Sequence, residues 1–79
     1  MIKFGNLFLM NKIEIGHIVQ NRRSALSLNQ EDLAEMTGIT SKTIYLIESG
    51  NGNPSIDTLN KLLETLGLEI SIDIKKLNK

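Results

Sequence analysis

The sequence contains no cysteine and only one histidine, His17. The missing thiols exclude a disulfide framework and a thiolate metal site, and they favour a reducing, cytoplasmic setting. With one histidine and no carboxylate cluster at metal-ligand spacing, the chain lacks the residues that build most catalytic and metal centres. We therefore expect a protein that is not an enzyme, without metal or cofactor, and we interpret His17 as a surface residue of a helix.

Long hydrophobic runs are also absent. The most apolar stretch is the N-terminal MIKFGNLFLM, which is interrupted by Gly5 and Asn6 and is far too short to span a membrane. We expect residues 1–11 to form an arm that need not be ordered, and we expect no membrane partner. The 79 residues have room for one domain with a barely adequate core, so association with a partner would help it.

The most informative stretch is NQEDLAEMTGITSKTIYLIESG, residues 29–50. Asn29 is a good N-cap and Asp32 follows in the first turn, so a helix is predicted to begin at Gln30. Gly38 accepts the positive φ that ends a helix, and Thr40 then caps a second helix. Neither helix is long enough to be stable alone in water, so we predict a packed pair, a helix-turn-helix. The side chains that we expect to be buried are Leu33, Met36, Ile39, Ile44 and Ile47.

The polar side of the second helix is predicted to face outward. In helix-turn-helix proteins this helix enters the major groove of DNA, where its first residues reach base edges. Lys42 can donate to guanine or to a phosphate, Ser41 can donate or accept, and Tyr45 offers a hydroxyl and a ring face. The spacing favours DNA contact; the alternative is that these side chains are merely solvated on an exposed helix.

These features resemble the XRE, or Cro/cI-type, helix-turn-helix regulators. The resemblance covers about two thirds of the chain, from about Gly16 to Gly67, through GHIVQNRR, LNQEDLAEMTGIT, SKTIYLIESGNGNPS and LNKLLETLG. It implies an all-α fold, a compact bundle of four or five helices, and sequence-specific binding of double-stranded operator DNA by a transcriptional repressor. It also implies that Gln30 lies over a phosphate and that the loop 51–53 follows the DNA backbone. The DNA-binding residues implied are Gln30, Thr40, Ser41, Lys42, Thr43, Tyr45, Asn51 and Asn53.

The charge distribution weighs against DNA binding. Nine basic and nine acidic residues give a formal net charge of zero, whereas phosphate neutralisation supplies most non-specific DNA affinity. Glu31 and Asp32 also place two carboxylates at a helix end that should approach a polyanion; the milder interpretation is that they neutralise the helix N-terminus and face sideways. We expect a local positive face and a modest salt dependence, because the predicted binding unit contains Arg22, Arg23, Lys42 and Lys61.

A helix is predicted ahead of the motif, from about Lys12 to Leu26. Its apolar stripe consists of Ile15, Ile18, Val19 and Leu26. Arg23 follows Val19 by four residues and lies close to this stripe, where an unpaired guanidinium would be costly. The resemblance implies an ion pair between Arg23 and Glu48; the alternative is a direct contact of Arg23 with phosphate.

A further helix is predicted between Ser55, its N-cap, and Gly67, which ends it. We interpret its apolar residues as core rather than as the wall of a ligand pocket, because they are needed to cover the other helices. They are Ile56, Leu59, Leu62, Leu63 and Leu66.

The stretch 68–74 alternates apolar and polar residues, which is the period of a half-buried strand. A lone strand cannot satisfy its backbone, so we expect antiparallel pairing with the same strand of a second copy, which makes a homodimer. The alternative is an intramolecular sheet with residues 2–8. A dimer would present two recognition helices, about 34–36 Å apart, to a palindromic operator. The predicted dimerisation residues are Leu68, Ile70, Ile72 and Ile74.

The predicted organisation is an arm (1–11), a helix-turn-helix DNA-binding domain (12–67), and a strand and tail for dimerisation (68–79). A small domain followed by a short strand resembles HipB-type antitoxins, which implies autorepression and a HipA-like kinase toxin as partner. Two alternatives stay open: a stand-alone small XRE-type repressor, and a protein-interaction module of the same fold without DNA binding. The neutral charge and the predicted exposure of Tyr45 and Leu46 favour the second alternative.

Overall fold

The structure, a computed structural model, describes the backbone of residues 2–3 and the backbone and side chains of residues 11–71. In chain order its elements are β1 (Ile2–Lys3), α1 (Lys12–Ala25), α2 (Gln30–Thr37), α3 (Ser41–Glu48), α4 (Ile56–Thr65) and β2 (Leu68–Glu69). The prediction of an all-α bundle is confirmed, with four helices in the described part of the chain. None of these helices is long and apolar enough to cross a membrane.

Side-chain caps fix where each helix begins. At α2, Asn29 Oδ1 accepts from the Asp32 amide at 2.7 Å and Asp32 Oδ2 accepts from the Asn29 amide at 3.0 Å, a reciprocal capping box. Thr40 and Ser55 cap α3 and α4 through their hydroxyl oxygens. Asn11, which was not predicted as a cap, begins α1 through its side-chain oxygen, Oδ1, which accepts from the Glu14 amide at 2.9 Å. The predicted starts of α2 and α3 therefore coincide with the observed ones.

Two glycines shape the packing of the helices. Gly38 ends α2 with φ +74°, and its amide donates to the Ala34 carbonyl at 2.8 Å, so the chain turns at once into α3. Gly16 lies inside α1, where a Cβ atom would come within 2.7 Å of the Glu48 carbonyl oxygen and closer still to that of Ile47. Only glycine therefore allows α1 to approach the C-terminal end of α3 so closely.

The core receives side chains from all four helices and from β2. It joins α1 to α3, α2 to α3 and α4, and α4 to β2. The buried hydrophobic residues are Val19, Leu33, Ile44, Ile47, Leu59, Leu62, Leu63, Leu66 and Leu68.

Three residues predicted to be buried are exposed: Leu26, Met36 and Ile56. Thr37 takes the inward position on α2 that the pattern gave to Met36. A threonine can be buried there because its hydroxyl donates to the Leu33 carbonyl at 2.7 Å. Leu26 and Ile56 lie at helix ends, one at the C-cap of α1 and the other at the first residue of α4.

The two short strands pair in parallel within the chain, with Ile2 opposite Leu68 and Lys3 opposite Glu69. The partner of β2 is therefore the N-terminal segment, as in the intramolecular alternative, and the described residues contain two residue pairs of this sheet. The described strand covers the start of the predicted stretch 68–74, and residues 72–74 lie outside the described residues. Pairing of this strand with a second copy remains a prediction.

Candidate nucleic-acid interface

The described surface offers hydrogen bonding and charge rather than a metal centre. Among residues 11–71, no group of three or more histidine or acidic side chains is placed to hold a metal ion. The His17 side chain is exposed on α1.

Helix α3 is buried on one side and exposed on the other. Ile44 is fully buried and Ile47 nearly so, and both pack in the core. Ser41, Lys42 and Tyr45 are exposed, with 58% of Tyr45 accessible. The helix is therefore anchored by its apolar residues while its polar residues are available to a macromolecular ligand.

The start of α3 is organised by two threonines. Thr40 Oγ1 accepts from the Thr43 amide at 3.2 Å and donates to Thr43 Oγ1 at 2.9 Å. Within residues 11–71, by contrast, the side chains of Ser41 and Lys42 make no hydrogen bond or ion pair. The threonines thus fix the helix end, and their two neighbours keep their hydrogen-bonding capacity.

A concavity of about 470 Å³ lies where α2 and α3 begin; we call it the N-terminal concavity. The amino ends of helices carry unsatisfied amides and a partial positive charge, which favour an anion such as a phosphate. Asp32 caps α2 and is not part of the lining, as the milder interpretation proposed, whereas Glu31 does line the concavity. The lining residues are Arg23, Asn29, Gln30, Glu31 and Ser41.

Arg23 joins three segments of the chain. Its Nε donates to Glu48 Oε2 at 2.7 Å and its Nη2 donates to Glu48 Oε1 at 2.9 Å. Its Nη1 donates to the Leu28 carbonyl at 2.7 Å. The side chains of Arg23 and Glu48 are only 12% and 3% exposed. The two residues that the resemblance pairs therefore form a bidentate ion pair between the end of α1 and the end of α3.

The Glu48 carboxylate raises the pKa of Arg23, chiefly through the hydrogen bonds that it accepts and further through its charge. Burial opposes this effect by lowering the pKa of the guanidinium. Since an arginine is charged throughout the physiological range even without such a partner, the pair keeps its positive member at any working pH.

Gln30 lines the N-terminal concavity and is also bonded to the ion pair. Its Nε2 donates to Glu48 Oε1 at 3.1 Å, and the residue is half-buried. One of its two amide hydrogens is thus directed inward, and a phosphate contact would use the other. No local sequence pattern indicates this bond, because the two residues are 18 positions apart.

The loop after α3 folds back onto that helix. The amides of Asn51 and Gly52 both donate to the Leu46 carbonyl, at 3.0 and 2.9 Å. Asn51 Nδ2 also donates to Ser49 Oγ at 3.2 Å. Asn51 and Asn53 are exposed at this end of α3, which is opposite to the end that carries Ser41.

The four cations expected to form a positive face have different surroundings. Arg22 donates through Nε to the Leu66 carbonyl at 2.7 Å and lines a separate groove with Leu68. Arg23 is held by Glu48, and Lys61 is exposed on α4 near the turn at Gly38. Lys42 is the one cation that belongs to α3 itself.

The predicted dimerisation residues divide into two groups. Leu68 is 4% exposed and belongs to the core of its own chain. Leu68 packs against α4 because β2 folds back on that helix, and its part in dimerisation remains a prediction. Ile70 is half-buried against the same core, and Ile72 and Ile74 lie outside the described residues.

Comparison with known proteins gives consistent matches. Residues 19–72 match a family model described as Helix-turn-helix. An uncharacterized HTH-type transcriptional regulator of Methanothermobacter thermautotrophicus is 37% identical over 57 residues, which are 72% of this chain and 83% of the relative. Another such regulator, from Haemophilus influenzae, is 40% identical over 50 residues, 63% of this chain and 51% of the relative. The chain thus spans about half the length of the second relative.

A solved structure has the same fold. The restriction-modification controller protein C.AhdI from Aeromonas hydrophila superposes with a TM-score of 0.69 at 29% sequence identity. The match covers 73% of this chain and 88% of that protein. The likeness therefore includes the packing of the helices as well as the sequence motif.

Proposed function

Because this chain belongs to the helix-turn-helix family of transcriptional regulators, we propose that it is a sequence-specific repressor that places α3 in the major groove of an operator. The observation that carries the proposal is the two-sided character of α3. Ile44 and Ile47 fix the helix from within, while Ser41, Lys42 and Tyr45 are exposed.

The geometry suggests a division of roles among the proposed contacts. Ser41 and Lys42, at the start of α3, are the proposed base-reading residues, and Tyr45 follows one turn later. Thr40 and Thr43 position this end of the helix and lie close enough to its start to add hydroxyl contacts. Gln30 and the first turn of α2 are proposed to hold a phosphate in the N-terminal concavity.

The loop 51–53 is the proposed backbone contact at the other end of α3. Its two exposed asparagines can donate amide hydrogens to phosphate oxygens. Together with the first turn of α2, this loop would hold the duplex on both sides of the reading residues and fix the register of α3.

The comparisons favour DNA binding over a protein-interaction module that lacks it. The relatives are described as transcriptional regulators, not as enzymes. The protein-interaction module is supported by the net charge of zero and the exposure of Tyr45, but not by Leu46, which was predicted to be exposed and is half-buried. The two functions differ in their need for Lys42. A DNA-binding helix uses its ammonium group, whereas an apolar protein-docking surface does not.

The test is selection of a duplex from a random library by the purified protein, followed by fluorescence anisotropy with variants. We expect Lys42→Ala and Tyr45→Ala each to weaken binding of the selected duplex about tenfold. Lys42→Ala should also reduce the salt slope by about 1 if it contacts a phosphate. Asn60→Ala, which removes an exposed polar side chain of α4 outside the proposed interface, is the control and should bind like the parent. A Lys42→Ala, Tyr45→Ala double variant with full affinity would exclude α3 as the reading helix.

We further propose that the repressor acts as a homodimer on a palindromic site. Support comes from the strand pattern of residues 68–74 and from the small core of a single copy. Two copies of α3 about one DNA turn apart would contact both half-sites, which raises affinity without new contacts in either half.

The most specific part of the proposal concerns which operon the protein regulates. The helix-turn-helix domain followed by a short strand supports the HipB-type assignment, in which the protein represses its own operon and binds a HipA-like kinase toxin. The likeness to a restriction-modification controller protein offers a second kind of neighbouring gene for the same fold. The selected duplex distinguishes the two assignments. A match upstream of the protein's own gene and next to a kinase-like reading frame supports the antitoxin, whereas a match next to restriction-modification genes supports the controller.

A further inference from the structure

One side of α1 runs along α3, and three of its residues share that side. Gly16, Gln20 and Arg23 are separated by four and then three positions, the spacing of one helix face. Gly16 lies against the carbonyls that end α3, and Arg23 is bonded to Glu48. Gln20, between them, is exposed beside the recognition helix rather than packed under it.

Gln20 lines a second depression of about 170 Å³, which we call the Tyr45 notch. Its lining residues are Gln20, Gln30, Tyr45, Glu48 and Ser49. Gln30 lines both this notch and the N-terminal concavity, so the two depressions are adjacent. The notch therefore continues the proposed DNA surface from α2 and α3 onto α1.

The lining of the notch offers neutral hydrogen-bond donors, which suit an acceptor such as a phosphate oxygen. Its one charged residue, Glu48, is already engaged with Arg23 and Gln30. The Gln20 amide makes no hydrogen bond within residues 11–71 and so keeps both of its donor hydrogens. Amide side chains of this kind commonly donate to phosphate oxygens in protein–DNA complexes.

We propose that Gln20 is a DNA-contacting residue supplied by α1, whose amide donates to a backbone phosphate that lies over the Tyr45 notch. A phosphate is favoured over a base because α1 flanks α3 and does not occupy the position of a helix in the groove. The proposal rests on α3 being the recognition helix, and it extends the interface to a residue outside the helix-turn-helix motif.

The test compares Gln20→Ala with Asn21→Ala. Asn21 is the next residue of α1, is also exposed, and lines the groove with Ile18 and Leu68, so its variant removes a similar amide from the same helix on another side. The probes are the duplex selected by the parent protein and a duplex of random sequence, measured by anisotropy. We expect Gln20→Ala to weaken both about fivefold, since one net hydrogen bond to a sequence-independent group is lost. Asn21→Ala should bind like the parent, and thermal unfolding of both variants should match it.

A charged variant gives the second measurement. Gln20→Lys places an ammonium over the proposed phosphate, so we expect tighter binding and a salt slope steeper by about 0.9. Gln20→Ala should leave the slope unchanged because glutamine carries no charge. Equal affinities of Gln20→Ala and Asn21→Ala, or an unchanged slope for Gln20→Lys, would overturn the proposal.

The same assay separates this proposal from the function on which it rests. Loss of affinity in Lys42→Ala but not in Gln20→Ala keeps α3 as the recognition helix and removes Gln20 from the interface. A loss in Gln20→Ala confined to the selected duplex would overturn the phosphate contact in favour of a base contact. A parent protein that binds neither duplex would overturn both proposals.

Discussion

Glu48 is the residue at which α1, α2 and α3 are joined by side-chain hydrogen bonds. Its carboxylate, 3% exposed at the end of α3, accepts from Arg23 of α1 and from Gln30 of α2. A buried carboxylate is tolerated only when donors replace its lost hydration, and here a guanidinium and an amide do so. Glu48 therefore stabilises the fold and also orients Gln30 at the edge of the proposed DNA surface.

We expect Glu48→Ala to lower the free energy of unfolding by about 3 kcal/mol, because it leaves the buried Arg23 guanidinium without its acceptor. The lower end of the usual range applies since Arg23 lines the open N-terminal concavity. Thermal or denaturant unfolding measures the change. Glu64→Ala, which removes an exposed carboxylate from α4, is the control and should change stability by less than about 0.5 kcal/mol. A Glu48→Ala protein with the same unfolding temperature as the parent would show that the ion pair does not contribute to stability.

At the scale of the elements, local sequence features predict where the helices begin and end but not how the helices contact one another. The caps at Asn29, Thr40 and Ser55 and the turn at Gly38 were readable because each acts on residues within a few positions. The close packing of α1 against α3 could not be predicted from the sequence, because it depends on the contact of Gly16 with the carbonyls of Ile47 and Glu48.

Because α1 packs closely against α3 at Gly16, adding one methyl group there should have a large effect on stability. Gly16→Ala should destabilise the protein by about 1–3 kcal/mol, since the added Cβ forces the two helices apart. This sign is opposite to the gain of about 1 kcal/mol that alanine normally brings to a helix interior. His17→Ala, at the next and exposed position, provides the comparison and should not destabilise. If denaturant unfolding gave Gly16→Ala the midpoint of the parent, the close packing of α1 on α3 would be refuted.

At the scale of the whole molecule, charge alone does not provide DNA affinity. Residues 11–71 contain five lysines and arginines and eight acidic residues, and Arg22 and Arg23 are bonded to the protein itself. Within this part of the chain, the proposed DNA binding would depend on specific contacts, and two copies on one duplex would strengthen it, which agrees with the modest salt slope that we expect. Because β1 already pairs with β2, a partner strand would have to use the other edge of β2, pair with residues beyond it, or displace β1.

Removal of the tail tests the dimer. A chain that ends after Ser71 keeps Leu68 in its core, so we expect its thermal unfolding to stay close to that of the full chain. Sedimentation equilibrium should show a dimer for the full chain and a monomer for the shortened one, with weaker binding to a palindromic duplex. A shortened chain that remains dimeric would contradict pairing through residues 72–74.

The sequence by itself determined the four helices, the turn at Gly38 and the outward position of Ser41, Lys42 and Tyr45, because caps, backbone φ and helical period act over a few residues. It also suggested the pairing of Arg23 with Glu48, through resemblance to related sequences. Only the tertiary structure decided that Gln30 bonds to Glu48, that Thr37 rather than Met36 is buried, that Leu68 belongs to the core and that Gln20 lies beside α3. Those facts depend on distances between elements far apart in the chain, and packing of the whole core sets such distances.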